Sequence, residues 1–250
     1  MLPQNAEALT AKFLEQEMFV RSAVSVIATF ILALLFISSA GTDAVTALDA
    51  TKLVAPAVMD HSSEPFGLAT TIVSDGPIVT MWDIMETSIR ADREVLIRCH
   101  EAGERCPVAA QSFLAIVAEG REHTGRARIG VVNRAINLTI QAASENRWTA
   151  PLETFAMGRG NCKQYAIAKY VALIEAGINE DDVKLVIVHD LATGDNHAVV
   201  AVHLDSDWIL LDNRWLNMVP DTEMRGVIPL FVLDRHGAKR FLPMLRGSLS

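Results

Sequence analysis

At Gly177 the spacing of the apolar residues changes from helical steps to alternation, and this ordering constrains the fold more than any other feature of the chain. Upstream, Trp82, Ile84, Met85, Ile89, Val95, Leu96 and Ile97 suit an amphipathic helix from Met81 to near Gly103. Val108 to Val117 predicts a second helix, and Ile129 to Ile140, at mixed three- and four-residue steps, a third. A loop with Asn146, Trp148 and Pro151 then leads to Gly158-Arg159-Gly160. From Asn161 a further helix is expected to run to about Ala176, with Gly177 as its stop. Downstream, Val183–His189, His197–Leu204, Trp208–Leu211 and Val227–Leu233 are apolar, β-prone and separated by polar turns, which predicts antiparallel strands. Helices followed by a meander of strands indicate an α+β domain.

Half of the 250 residues are hydrophobic, enough to bury a core and to exclude disorder of the whole chain. A net charge of -8 argues against a nucleic-acid partner, which calls for clustered Lys and Arg on a basic domain. Three cysteines are too few for a disulfide scaffold and lack the paired spacing of a zinc ribbon. The mean hydropathy is nevertheless positive for an acidic chain. The excess sits in Ala23–Ile37, an apolar run without a charge, followed by Ser38-Ser39-Ala40 and the polar Gly41-Thr42-Asp43. So short a run fits the core of a signal peptide better than a membrane span of ~20 residues. Lys12 and Arg21 are outweighed by Glu7, Glu15 and Glu17, whereas a start at Met18 gives the positive lead expected of an export signal. Residues 1–40 are therefore read as a signal peptide, or as an uncleaved anchor that tethers the chain to a membrane through residues 23–41. Either reading makes the remainder periplasmic or secreted. Residues 41–80, punctuated by Pro56, Pro65, Gly67, Gly76 and Pro77, read as a linker or loosely structured extension, with the folded domain at 81–250.

Cys162 follows Gly158-Arg159-Gly160-Asn161 and opens a helix. The helix dipole, Lys163 and Arg159 would each favour its thiolate, the state a nucleophile needs. A buried structural cysteine is the bland alternative. His197 opens the strand His197–Val202 and is placed to take a thiol proton, with His189 and His203 as competitors. Asp212 ends the next strand. In an antiparallel hairpin the start of one strand lies near the end of the next, so Asp212 can orient His197. Read alone, Asp212-Asn213 is also an ordinary turn pair.

Three blocks now stand together: Gly160-Asn161-Cys162-Lys163-Gln164-Tyr165, Asn196-His197-Ala198-Val199-Val200, and Ile209-Leu210-Leu211-Asp212-Asn213. With Val132-Asn133 through Asn137, Trp148 with Pro151, and the pair Cys99 and Cys106, they resemble the bacterial transglutaminase-like cysteine proteinase family over roughly Cys99 to Pro220. The resemblance implies a papain-like, transglutaminase-like α+β core with the nucleophile at a helix N-terminus packed on an antiparallel sheet. It also implies a triad: Cys162 as nucleophile, His197 as general base and acid, Asp212 as orienter. The better understood members are periplasmic proteases that release surface adhesins by limited cleavage, which implies a protein substrate in the cell envelope. Some bind calcium beside the nucleophile.

The chain departs from the family's Gly-Asp-Cys-Glu-Asp run, since Asn161, Lys163 and Gln164 stand where carboxylates are usual. Calcium takes several oxygens, with carboxylates supplying the charge, and a lysine supplies none. No calcium, and no other cofactor or metal, is expected here. The same triad also serves acyltransferases and transglutaminases, and the altered flanks leave a catalytically silent binding module as a further alternative. Cys99 and Cys106 flank Gly103, so a turn brings them within reach of a disulfide in an oxidising compartment. That pairing leaves Cys162 as the free thiol. Two unpaired cysteines on adjacent helices is the alternative.

Overall fold

The computed structural model describes residues 64–102, 106–144 and 147–243. The apolar run, its flanks and residues 41–63 of the expected linker lie outside them. Four helices follow the predicted positions closely: α1 is Pro77–Ala102, α2 Val108–Arg121 and α3 Gly125–Thr139, and the helix that begins at Cys162 runs to Glu175. The apolar stripes account for their packing. Trp82, Met85, Ile89 and Leu96 of α1 are buried, as are Ile129, Val132 and Ile136 of α3. Trp82 also donates from Nε1 to the Asp234 carbonyl at 3.0 Å and meets Tyr170 edge-on, with ring centroids 5.8 Å apart.

Where a loop was expected before Gly158, the structure has a short helix, α4, Pro151–Met157. Its start carries helix signals, with Pro151 in the first turn and Glu153 close behind. α4 ends on Gly158 in the left-handed conformation, φ 65°, which glycine adopts without strain. The Cys162–Glu175 helix is therefore α5. It is apolar nearly all round, with every residue from Gln164 to Leu173 buried.

The strands are β1 Thr70–Ile72, β2 Gln141–Ala142, β3 Arg159–Gly160, β4 Val183–Asp190, β5 Asn196–Leu204, β6 Asp207–Leu211, β7 Met218–Pro220, β8 Val227–Asp234 and β9 Gly237–Phe241. Seven form one antiparallel sheet in the order β1-β9-β8-β4-β5-β6-β7. The expected meander therefore holds only from β4 to β7. β8 returns across the sheet to the far side of β4, and alternation within a strand carries no record of that choice of neighbour. β4 and β5 read as continuous apolar runs because both faces are covered. Leu185, Ala198, Val200 and Val202 join the core with α5. Val186, Val188, Val199 and Ala201 pack beneath Phe66, Leu68 and Met224.

Residues 64–80, read from sequence as the end of an extension, are built into this structure. Thr70–Ile72 pairs with Lys239–Phe241, and Pro77 begins α1. Glu64 is buried against Lys184 at 2.7 Å and Lys239 at 2.9 Å. These charge partners are distant in the chain, which is why local composition did not reveal them. A disulfide joins Cys99, near the end of α1, to Cys106, just before α2, with the Cα atoms 4.9 Å apart. Cys162 is the free thiol.

Candidate active site

Cys162 is the first residue of α5, and its placement follows from a tightly determined approach. β3 pairs in parallel with β2, which fixes the two residues before the helix cap. Asn161 caps the helix, its Oδ1 accepting from the Lys163 N–H at 3.0 Å. The Gln164 Oε1 accepts in turn from the Asn161 N–H at 2.8 Å, completing a capping box. Gln164 is buried and also donates from Nε2 to the Thr149 hydroxyl at 3.0 Å. A side chain at Gly160 would place its Cβ 2.9 Å from the Gln164 Cβ, so this close approach requires glycine.

His197 enters at the mouth of β5, and its Nε2 lies 3.0 Å from Oδ2 of Asp212. The last pair of the β5–β6 ladder near this end is Val200 with Leu211, so Asp212 leaves the sheet alongside the start of β5. The same ring lies close enough to the Cys162 sulfur for each to shift the other's ionisation. The structure thus brings together the three residues singled out in the sequence. The competing histidines are engaged elsewhere. His189 Nδ1 lies 3.2 Å from the Asn196 Oδ1, and His203 Nδ1 lies 3.4 Å from Asp182 beside the Trp208 ring.

The electrostatics favour charge separation. Burial pushes the Cys162 thiol up, but hydrogen bonds from His197 and the Ala198 backbone, with the positive charges of His197 and Lys163, outweigh it and hold the thiol below its ordinary value. Burial pulls the His197 ring down, yet its bonds to Asp212 and Cys162 and their negative charges hold it at about 9. Burial raises Asp212, but His197 and Arg214 together hold it at about 2. A thiolate beside an imidazolium is the state this set of shifts describes. Arg159, also expected to act on the thiol, lies exposed on β3. The Lys163 ammonium sits 5.7 Å from the centroid of the Trp148 ring.

Two groups escaped the sequence reading. Arg214 clamps the Asp212 carboxylate, with Nη2 2.8 Å from Asp212 Oδ2 and Nη1 2.7 Å from Asp190 Oδ2, so it links the ends of β6 and β4. Nothing in its local sequence announces that role. Lys169, on α5, donates to the Asp212 carbonyl at 3.0 Å. Its signal was available, since it is a lone charge within an otherwise apolar stretch, Ala166 to Ile174. Asn137 reinforces the same point, donating to the carbonyls of Asp212 and Trp215 at 3.1 and 3.0 Å, and Asn133 holds the Leu216 carbonyl at 3.2 Å.

Comparison with known proteins gives a consistent picture. A family model described as bacterial transglutaminase-like cysteine proteinase matches residues 96–224. No curated protein sequence matches the chain. The solved structure of Legionella pneumophila LapG aligns with a TM-score of 0.50 at 16% identity, over 60% of this chain and 87% of that one. Its calcium-bound form aligns with the same TM-score at 19% identity, over 65% and 93%. At such identities these structures share the fold.

Proposed function

The chain belongs to the bacterial transglutaminase-like cysteine proteinases, and from that premise we propose that Cys162, His197 and Asp212 are its catalytic triad. The observation that supports this reading is the His197 ring held on the Asp212 carboxylate at 3.0 Å while it and the Cys162 thiol shift each other's ionisation. The Cys162 thiolate adds to the scissile carbonyl carbon, and the electron pair moves to the carbonyl oxygen. The Cys162 N–H, at the positive end of α5, is the donor positioned for that oxyanion. As the C–N bond breaks, the His197 imidazolium gives its proton to the leaving amine. The neutral ring then takes a proton from water, whose oxygen displaces the sulfur and releases the acid. Asp212 holds the ring and its charge throughout.

The pH dependence tests the reading. Cys162 is expected to react with iodoacetamide at rates typical of a thiolate well below the pH at which an ordinary thiol ionises. Peptide hydrolysis is expected to fall as pH rises through about 9, where His197 loses the proton it must deliver. An alkylation profile that follows an ordinary thiol would reject the triad.

We also infer an exported peptidase that performs limited proteolysis of a protein substrate in the envelope or at the surface. The apolar run Ala23–Ile37 supports export, and so does the Cys99–Cys106 disulfide, a bond that persists in oxidising compartments. The residues flanking Cys162 do not suit calcium. The Asn161 oxygen and the Gln164 oxygen are committed to the helix cap, and Lys163 brings a positive charge. Among the described residues, no group of three or more His, Cys, Asp and Glu is placed to hold a metal ion. We therefore expect EGTA to leave activity unchanged and titration calorimetry to show no tight calcium binding at this flank. Tight binding abolished by Asn161→Ala would overturn that expectation.

A further inference from the structure

Lys169 is completely buried, yet the reaction as derived makes no use of it. Its surroundings on α5 are apolar: Ala166, Ile167, Ala168, Val171, Ala172 and Leu173 are all buried. An ammonium in such a place is costly unless it is well bonded. Burial pulls its pKa down to about 7, with the Asp212 charge pulling the other way. A methionine or leucine would fill the same volume without that cost. The side chain therefore calls for a reason beyond packing, and its hydrogen bond supplies one. Nζ donates to the main-chain carbonyl of Asp212 at 3.0 Å.

Position along the helix gives that bond its meaning. Lys169 follows Cys162 by seven residues, about two helical turns, so both lie on nearly the same face of α5. The sulfur lies beside His197, His197 bonds the Asp212 carboxylate, and Lys169 bonds the Asp212 carbonyl. The links close a ring whose fourth side is the helix itself. Asn137 donates to the same carbonyl from α3, at 3.1 Å, so the end of β6 is held from two helices.

We propose that Lys169 is a positioning residue for the peptidase reaction, tying the main chain of Asp212 to the helix that carries Cys162, so that nucleophile and orienter move as one unit. The proposal rests on the triad reading above. Without the tie, the carboxylate sits less firmly on His197, the imidazolium is less favoured, and the thiolate loses its partner.

The test is the rate of Cys162 alkylation by iodoacetamide as a function of pH, in the wild type and in Lys169→Met. The variant removes a buried charge at similar volume, so its melting temperature is expected to stay level or rise. Its thiolate profile is expected to move to higher pH, with the alkylation rate on the acid limb of the profile falling about tenfold. A lysine that served only the fold would move the melting temperature and leave the pH profile in place. A folded Lys169→Met with the wild-type profile overturns the proposal. Should that variant not fold, Lys169→Gln, whose amide ends one bond short of the carbonyl, is read in the same way. An ordinary thiol profile in the wild type itself rejects the triad. A depressed wild-type profile shared by the folded variant rejects the positioning role alone.

Discussion

Replacing Cys162 with alanine is expected to abolish hydrolysis, with a loss of roughly 10⁶-fold in kcat, the size seen when a nucleophile is removed from a cooperating triad. The fold is expected to survive, because the sulfur is half-buried at a helix end whose geometry is set by neighbours. The Asn161–Gln164 capping box, the Gly160 contact and the β2–β3 pair all remain in place. A cavity the size of one sulfur at a half-exposed position costs little by comparison with a core truncation. The measurement is a comparison of envelope and secreted proteins from cells carrying the wild type and Cys162→Ala. One or more envelope proteins are expected to shift from a shortened to a full-length form. If the cleavage pattern is identical in the two, the thiol is not the nucleophile. The silent-module alternative makes that opposite prediction, since a binding surface would tolerate the loss of one sulfur.

Asp212→Asn is expected to cost about 10⁴-fold in kcat, for a different reason. The amide is nearly the same shape, and Lys169 and Asn137 still hold the backbone carbonyl. What changes is the electrostatics. The Asp212 carboxylate holds His197 protonated, and the asparagine amide cannot stabilise an imidazolium. The amide NH₂ can also face Nε2, which selects the tautomer that cannot serve the thiol. Arg214 keeps Asp190 as a partner, so the guanidinium is not left alone. The effect should therefore appear in kcat and in the Cys162 alkylation profile, with a melting temperature near that of the wild type. A kcat within tenfold of the wild type would show that Asp212 is a turn residue that happens to lie beside the histidine.

The residues of the proposed triad were more legible in the sequence than the groups that hold them in place. Cys162, His197 and Asp212 were readable because each sits at the junction of a periodic segment and a turn, where loops place functional groups on rigid elements. The helices were legible for a related reason: long apolar stripes in α1 and α3 leave little choice of face. Five strands were not. β1, β2, β3, β7 and β9 are short, so their alternation spans too few residues to stand out. Strand order was hidden because β8 pairs with β4, nearly forty residues earlier, and the alternation within each is the same whichever neighbour it takes. Arg214 was hidden because its two carboxylate partners come from the ends of different strands. Glu64 was hidden because its lysine partners lie more than a hundred residues away. What composition and periodicity report is local, and these groups acquire their roles only through contacts between distant segments.

The bond between Cys99 and Cys106 has a practical consequence. The chain has three cysteines, and this bond takes two of them. Without a reductant, the protein then offers an electrophile a single thiol, and that thiol sits at the centre of the proposed chemistry. Label bound at a pH below the ordinary thiol range, where only an activated thiol reacts quickly, then counts the chains whose site is assembled. A mixed preparation can thus be titrated before any natural substrate is in hand.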